Sequence, residues 1–292
     1  LEDRTFGKVD QGDSTKSQRY IGSAATTVGR FVPDHFDTTV SDTCGSFTYS
    51  GQVFPLTITA RNGTGTTTAN YDGSYTGSLA KQVTLSDANA SAGSFGPTNP
   101  LAANTFVLGV ANLATTPSVK FTFTTKTTAP ATLLVRAGDA DTLAQTPAGG
   151  TAVEGSVALR SGRLRLMNAY GSDQIDLALP FETQYWNGSA FVKNTLDSCT
   201  TLIPANIVLG NKQGGLTTYT GPIAVSATAA GAGTITLTKP AAATKGSVDV
   251  VMALGSTGSP SNCGSIAGGT AAALAHLSGK WCGASYDRDP TA

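Results

Sequence analysis

The sequence predicts an all-β protein made of tandem immunoglobulin-like antiparallel β-sandwich domains. The composition favours strands and turns: the chain has 34 glycines and abundant threonine, and only 13% of its residues are charged. Threonine favours strands, and glycine supplies the backbone conformations of tight turns. Short runs of alternating apolar and polar residues recur along the chain with polar turns between them, a pattern typical of antiparallel sandwiches.

The first half of the chain carries the first set of alternating runs. Residues 1–28 are polar and read as a linker or a remnant strand of an upstream domain. The stretch from Gly29 to Phe36 looks like a domain entrance, because Pro33 imposes an extended or turn geometry on the preceding residue. The strands predicted here are Ser46–Tyr49, Val53–Ala60, Lys81–Ser86, Thr105–Val110, Ser118–Thr125, Thr132–Ala137 and Ser156–Leu159.

The second half repeats the pattern, so we predict one domain over residues 29–160 and another over 161–292. Asn187-Gly188 between two strand-like runs is a strong hairpin signal. Helix signals are confined to Gly269–Leu277, which is long enough for one or two turns. The predicted strands are Arg163–Met167, Ile175–Leu179, Glu182–Trp186, Ala190–Lys193, Ile207–Leu209, Ile223–Ala227, Thr234–Thr238 and Val248–Met252.

The four cysteines, Cys44, Cys199, Cys263 and Cys282, allow three pairings. We favour Cys44–Cys199, which would connect the two halves, and Cys263–Cys282, which would close a short glycine-rich segment. Disulfides would imply an oxidising compartment and therefore a secreted or cell-surface protein. The alternative is four free thiols in a cytosolic protein. A zinc site is not expected, because there is no CxxC pair and the chain has only two histidines.

Charge and hydropathy exclude several classes of function. The formal net charge is zero, so there is no electrostatic basis for binding nucleic acid or an anionic membrane. No apolar stretch is long enough for a transmembrane helix. No nucleophile motif accompanies His35, which we interpret as a structural residue. The scattered acidic residues form no recognisable catalytic pair, so we expect no enzymatic activity.

Five blocks of the sequence resemble a known family. They are residues 29–36, Cys44–Tyr49, Gly162–Gly171, the stretch from Gln184 to Leu202, and Tyr286–Pro290. In order and spacing they are similar to the C-terminal region of MshQ-like proteins, the family encoded with the mannose-sensitive haemagglutinin (MSHA) type IV pilus. The resemblance covers about residues 20–292. It implies a bacterial, exported, surface or pilus-associated protein.

Two groups of residues are candidates for ligand binding. Asp139 and Asp141, and likewise Asp287 and Asp289, alternate along the chain as calcium ligands do, although the full EF-hand spacing is missing and solvated turns are the alternative. Tyr185, Trp186 and Phe191 flank the Asn187-Gly188 turn, where exposed rings would stack on sugars. The alternative for these aromatics is packing in the sandwich core.

The sequence therefore leaves two main functional hypotheses. The first is a non-enzymatic structural or adhesin component of an MSHA-like type IV pilus system, with other surface proteins or copies of itself as partners through sheet edges. The second is a binding module for a glycan, or one that depends on Ca²⁺, acting on a host or biofilm ligand. An enzyme such as a glycoside hydrolase is the third and least supported hypothesis.

Overall fold

Strands account for nearly all the regular structure of this chain. The computed structural model describes residues 32–114, 118–140, 153–255, 268–270 and 272–279. Seventeen strands lie in these ranges: β1 His35–Val40, β2 Thr48–Tyr49, β3 Val53–Phe54, β4 Leu56–Arg61, β5 Val83–Asp87, β6 Gly93–Pro97, β7 Val110–Asn112, β8 Val119–Phe123, β9 Ala131–Asp139, β10 Gly155–Arg160, β11 Gly162–Leu166, β12 Leu177–Trp186, β13 Phe191–Lys193, β14 Ile207–Gly214, β15 Ile223–Val225, β16 Ala232–Leu237 and β17 Gly246–Met252. The predicted all-β class is confirmed.

The strands form five sheets, three in the first half and two in the second. Strand orders in the first half are β1-β4-β7, β2-β10-β9-β5 and β3-β8-β6. In the second half, β11-β12-β16-β15 form the larger sheet, in which β13 also pairs with β12, and β14-β17 form the smaller one. The described pairings are antiparallel except for β2 and β10, which run parallel. Because β10 ends at Arg160, this parallel pair places β2 beside the boundary between the two halves.

Alternation along the strands determines which residues face the interior. In β4, Leu56, Ile58 and Ala60 are buried and the residues between them are half-buried, as the sequence predicts. The same pattern holds in β8, where Val119, Phe121 and Phe123 face inward. Because successive side chains of a strand point to opposite faces, each sheet presents one apolar face to a core.

Two hydrophobic cores lie in Pro33–Ala292, which form one compact unit. The first core uses residues between Phe36 and Leu159. The second uses residues between Leu164 and Leu277, together with two side chains from the first half, Phe47 and Tyr49. Phe47 and Tyr49 belong to the first half but pack in the core of the second half. The two halves therefore share a packed junction near the predicted boundary at residue 160.

Several predicted elements differ in the structure. The predicted strand Val53–Ala60 is divided at Pro55 into β3 and β4, which belong to different sheets, and the two strands predicted over Ile175–Leu179 and Glu182–Trp186 are the single strand β12. The run Thr105–Val110 is not a strand but a turn, because Leu108 and Gly109 both have positive φ, and β7 begins only at Val110. In the described part of the predicted helical segment Gly269–Leu277, the helical structure is one 3-10 turn, Ala275–Leu277. Strands β1 and β6 were not predicted, since both lie in stretches rich in polar residues, glycine or proline.

Helical structure in the described ranges is limited to three short 3-10 helices, Ala103–Thr105, Pro204–Asn206 and Ala275–Leu277. None of them has both the length and the apolar character that a membrane crossing requires. The linker predicted over residues 1–28, the cysteines Cys263 and Cys282, and the acidic residues Asp141, Asp287 and Asp289 lie outside the described residues.

Candidate functional site

A disulfide between Cys44 and Cys199 connects the two halves of the chain. The half-cystines are 155 residues apart in sequence, and their Cα atoms lie 5.5 Å apart, within the usual range for a disulfide. This is one of the two predicted pairs. Both sulfurs lie close to Asp197, and this is the one group in the described chain with metal-ligand spacing. Since the sulfurs are bonded to each other, they are not free to bind a metal ion.

Beside the disulfide, Asp197 is the centre of a buried hydrogen-bond network. The Tyr49 hydroxyl donates to Oδ2 of Asp197 over 2.8 Å and accepts from Nδ2 of Asn194 over 2.8 Å. The Thr200 hydroxyl donates to the same Oδ2 over 2.7 Å, and the main-chain N–H of Cys199 donates to Oδ1 over 3.1 Å. Asp197 and Asn194 are fully buried. The network supplies the donors that a buried carboxylate requires.

Tyr49 brings the first half into the second core. Burial raises the pKa of Tyr49, and the charge of Asp197 raises it further, so the hydroxyl stays protonated and acts as a donor. Its ring packs edge-on to Phe47, with centroids 4.9 Å apart, and stacks on His276 at 5.6 Å. Gly162 leaves the space that this ring occupies, because a Cβ there would lie 2.3 Å from Cδ1 of Tyr49.

His276 is held neutral at the edge of the network. Burial lowers the pKa of His276 to about 3, and the nearby positive charge of Lys126 adds to this effect. The Lys126 ammonium donates to the main-chain carbonyl of His276, and burial lowers the pKa of Lys126 to about 8. A cavity of about 560 Å³ beside these groups is also lined by Lys120. With so low a pKa, His276 is a poor proton acceptor at neutral pH.

The outer face of the β12–β13 hairpin carries an aromatic pair, Trp186 and Phe191. The two residues are direct cross-strand partners, and their ring centroids are 5.3 Å apart. Both are half-buried, and Trp186 belongs to neither hydrophobic core. The guanidinium of Arg163 lies 4.2 Å from the centroid of the Phe191 ring, and its Nε donates to Oε1 of Gln184 over 2.9 Å. We call Trp186, Phe191 and Arg163 the outer aromatic patch; Gln184, which holds Arg163, is buried.

Tyr185, the third predicted aromatic, lies on the opposite face of the hairpin. Along β12 the residues Phe181 and Thr183 are fully buried, so Tyr185 continues the inward-facing set. Its ring lies 4.5 Å from the guanidinium of Arg160, which also lies 5.2 Å from the ring of Phe47. The structure therefore brings Trp186 and Phe191 together and separates Tyr185 from them.

Asp139 is the one proposed calcium ligand within the described residues. The sequence predicts a loop at this position, but β9 extends to Asp139, which pairs with Val83 of β5. The residue is 4% exposed. The prediction of an exposed loop is therefore wrong at Asp139, because the pairing with β5 extends the strand by two residues beyond its predicted end at Ala137.

His35 is part of a short acidic cluster at the start of β1. Its Nδ1 lies 2.8 Å from Oδ2 of Asp34, and its Nε2 lies 3.6 Å from Oδ1 of Asp37. Asp37 also accepts a hydrogen bond from Nε of Arg61 over 2.8 Å. His35 is 2% exposed. These contacts orient the side chain within the domain entrance and leave it little accessible to a substrate.

A cavity in the second half was not predicted from the sequence. It has a volume of about 610 Å³ and lies between the larger sheet and β17. Leu177 and Leu179 at the beginning of β12 form part of its wall, whereas the disulfide junction is next to the end of that strand. Leu179 is the cavity residue of β12 nearest to the junction. At about 3.4 Å per residue, the four residues from Leu179 to Thr183 separate cavity and junction by roughly 14 Å.

Comparison with protein families identifies both halves of the chain. Residues 11–158 match the family model described as DUF6701, third domain, and residues 160–292 match DUF6701, fourth domain. The chain belongs to the DUF6701 family. Searches of curated proteins and of solved structures returned no match. The two matches meet at residue 159, within β10 and two residues before Ser161, which separates β10 from β11.

Proposed function

We propose that this DUF6701 chain is a non-enzymatic structural or adhesin component of a bacterial surface that belongs to an MSHA-like type IV pilus system. One observation carries the proposal: the sequence blocks that resemble MshQ-like proteins meet at the junction of the two halves. Cys44–Tyr49 supplies a half-cystine and the Tyr49 hydroxyl, and the block that ends at Leu202 supplies Cys199 and Asp197. A third block supplies Gly162, against which Tyr49 packs.

A junction of this kind suits a spacer that holds two modules in one arrangement. The disulfide prevents the halves from separating even when the cores are strained. The buried Tyr49–Asp197–Asn194 hydrogen bonds orient one half on the other, because they are satisfied in only one geometry. A disulfide of this type persists in oxidising compartments, which supports a location outside the cytoplasm.

Sheet edges are the surfaces through which such a component would assemble. Within the described residues, β15 and β17 lie at the ends of their sheets. An edge strand presents unpaired main-chain donors and acceptors to a partner strand. We propose other pilus or surface proteins, or further copies of this chain, as the partners.

Fractionation of the source bacterium tests the location. Pili are sheared from cells, sedimented, and probed with an antibody raised against this chain, alongside washed cells, medium and cytosol. We expect the protein in the surface and pilus fractions, and its release into the medium when the pilin gene is deleted. Recovery in the cytosol with free Cys44 and Cys199 thiols would overturn the proposal.

The outer aromatic patch favours a second candidate, a glycan-binding module. Trp186 and Phe191 offer partly exposed rings beside the Arg163 guanidinium, the combination that stacks on sugar rings and contacts their hydroxyl groups. A glycan array with the wild-type chain and Trp186→Ala tests this, and Tyr75→Ala, which removes a 54% exposed ring elsewhere, is the matched control. Binding lost only in Trp186→Ala would favour the module.

Calcium dependence is tested on the same protein. The melting temperature is measured with millimolar CaCl₂ and with chelator, and a rise with calcium supports a Ca²⁺-dependent module. Equal melting temperatures, together with a blank glycan array, favour the structural role.

A further inference from the structure

The cavity in the second half has the construction of a ligand site. Its floor is apolar and comes from both sheets: Leu177 and Leu179 from β12, Leu237 from β16, and Val248 and Val250 from β17. A volume of about 610 Å³ is within the range of small-molecule sites, which are mostly apolar with a few polar groups.

The mouth of the cavity exposes apolar surface to solvent. Ile175 and Tyr170 line it, and their exposed fractions are 62% and 94%. Large side chains at such exposure add to the free energy of the unbound state, because their apolar area remains in contact with water. A ligand that entered the cavity and covered these residues would remove that area from water. The apolar surface is therefore continuous from the floor to the outside.

Two carboxylates and two ammonium groups lie at the rim, and they differ in how firmly they are held. Oδ2 of Asp173 accepts a hydrogen bond from the main-chain N–H of Thr244 over 2.7 Å, and Oδ2 of Asp249 accepts one from Nδ2 of Asn211 over 2.7 Å. These hydrogen bonds come from neutral donors, so they hold the two carboxylates in place without cancelling their charges. Lys239 and Lys245 also line the cavity, and both are exposed. Neither ammonium group forms an ion pair with a carboxylate of the described chain.

We propose that this cavity binds a small amphiphile with an apolar body and one anionic head group, such as a carboxylate. The apolar body occupies the space between the two sheets, and the head group lies at the rim near Lys239 and Lys245. The site lies at the end of the second sandwich away from the disulfide junction, so it is available when the two halves are locked together. This inference is independent of the pilus role and of the outer aromatic patch.

Isothermal titration of the full chain with decanoate, kept below its micelle concentration, is the test. We expect saturable binding of one decanoate per chain. Decyltrimethylammonium has the same alkyl chain and a positive head, and we expect it to bind at least about tenfold more weakly, since each 1.4 kcal/mol of lost head-group attraction is a factor of about ten. Equal binding of the two amphiphiles, or no saturable binding of decanoate, overturns the proposal.

Substitutions locate the site. Val248→Trp fills the cavity and should abolish decanoate binding. Ile175→Asp places a negative charge at the exposed mouth, where it repels the carboxylate of decanoate. Because residue 175 is exposed, this variant should fold, and it should bind decanoate about tenfold more weakly. The pair Lys239→Ala and Lys245→Ala should bring the affinities for the two amphiphiles together. Lys193→Ala removes an exposed lysine of β13 as the control. Unchanged decanoate binding in Ile175→Asp and in the double lysine variant would place the ligand elsewhere and contradict the proposal.

Discussion

At the scale of single residues, Tyr49 decides how the two halves of the chain are joined. Its ring lies in the second hydrophobic core although the residue belongs to the first half. Its hydroxyl connects Asp197 and Asn194, which are both fully buried. A phenylalanine would fill the same space but leave both partners with one hydrogen bond fewer.

We therefore predict that Tyr49→Phe lowers the free energy of unfolding by about 1.5–3 kcal/mol, the range for a lost hydrogen bond to a charged group. Urea denaturation followed by tryptophan fluorescence measures the change. Tyr75→Phe removes a hydroxyl from a ring that is 54% exposed and is expected to have almost no effect. Equal shifts in the two variants would show that the network does not stabilise the junction.

His276 makes stability depend on pH. Its pKa in the folded chain is about 3, against 6.5 for an ordinary histidine, so the unfolded chain binds a proton below about pH 6.5 while the folded chain remains neutral. Stability conferred by the neutral form is complete above pH 6.5 and declines as the pH falls towards 3. The slope from this residue is at most about 1.4 kcal/mol per pH unit.

His276→Phe tests this prediction, because it keeps a ring against Tyr49 and removes the titrating nitrogens. We expect the loss of stability between pH 6.5 and 4 to be smaller in the variant, as measured by urea denaturation at several pH values. Lys126, Lys120 and Asp197 also face His276 and remain unchanged in both proteins. Parallel pH profiles would mean that His276 does not titrate in this way.

At the scale of elements, β12 contributes residues to the cavity, to the second hydrophobic core and to the outer aromatic patch. Its first residues form the floor of the cavity, its inward residues fill the second core, and its last residue carries the outer aromatic patch. The strand contacts all three because it is 10 residues long and its successive side chains point to opposite faces of the sheet. Its neighbour β11 begins with Gly162, over which Tyr49 lies.

Gly162→Ala tests the contact between β11 and the junction. The added Cβ would lie 2.3 Å from Cδ1 of Tyr49 and 2.9 Å from Cδ2 of Leu277, so one of these packed groups must move. We predict a loss of about 1–3 kcal/mol in the free energy of unfolding, the usual effect of overpacking. The control is Gly63→Ala, whose nearest contact is 3.9 Å away. A loss no larger than in Gly63→Ala would show that the junction has room to adjust.

At the scale of the whole molecule, the disulfide controls how far the unfolded chain expands. It closes a loop of 155 residues, which spans most of the first half and the beginning of the second. In the chain-entropy model, a loop of this length contributes roughly 5 kcal/mol to stability as an upper value. The gain comes chiefly from restricting the unfolded chain.

We predict that the double variant Cys44→Ser and Cys199→Ser loses up to about 5 kcal/mol and unfolds at a lower urea concentration. Tyr49 should remain in the second core, so the variant should still show a folded near-ultraviolet circular dichroism spectrum without denaturant. A variant as stable as the oxidised wild type would contradict a stapling role for the disulfide.

Local pattern in the sequence was enough to predict the fold class and most of the strands. Alternation in Leu56–Ala60 and the Asn187-Gly188 turn are local signals, and the structure contains the corresponding strand and hairpin. Local signals failed at Thr105–Val110, where positive φ at Leu108 and Gly109 produces a turn. They also failed at Asp139, where pairing with β5 extends a strand beyond its predicted end.

By itself, therefore, the sequence determined the all-β class, the Asn-Gly hairpin and the Cys44–Cys199 pair as the favoured one among three pairings. Tertiary structure alone decided that Tyr49 joins the second core, that Tyr185 faces away from Trp186, and that a cavity with an apolar floor lies between the two sheets of the second half. The physical reason is sequence distance. Alternation reports which side of a strand a residue occupies, but contacts between residues such as Tyr49 and Asp197, 148 positions apart, exist only after the sheets have packed.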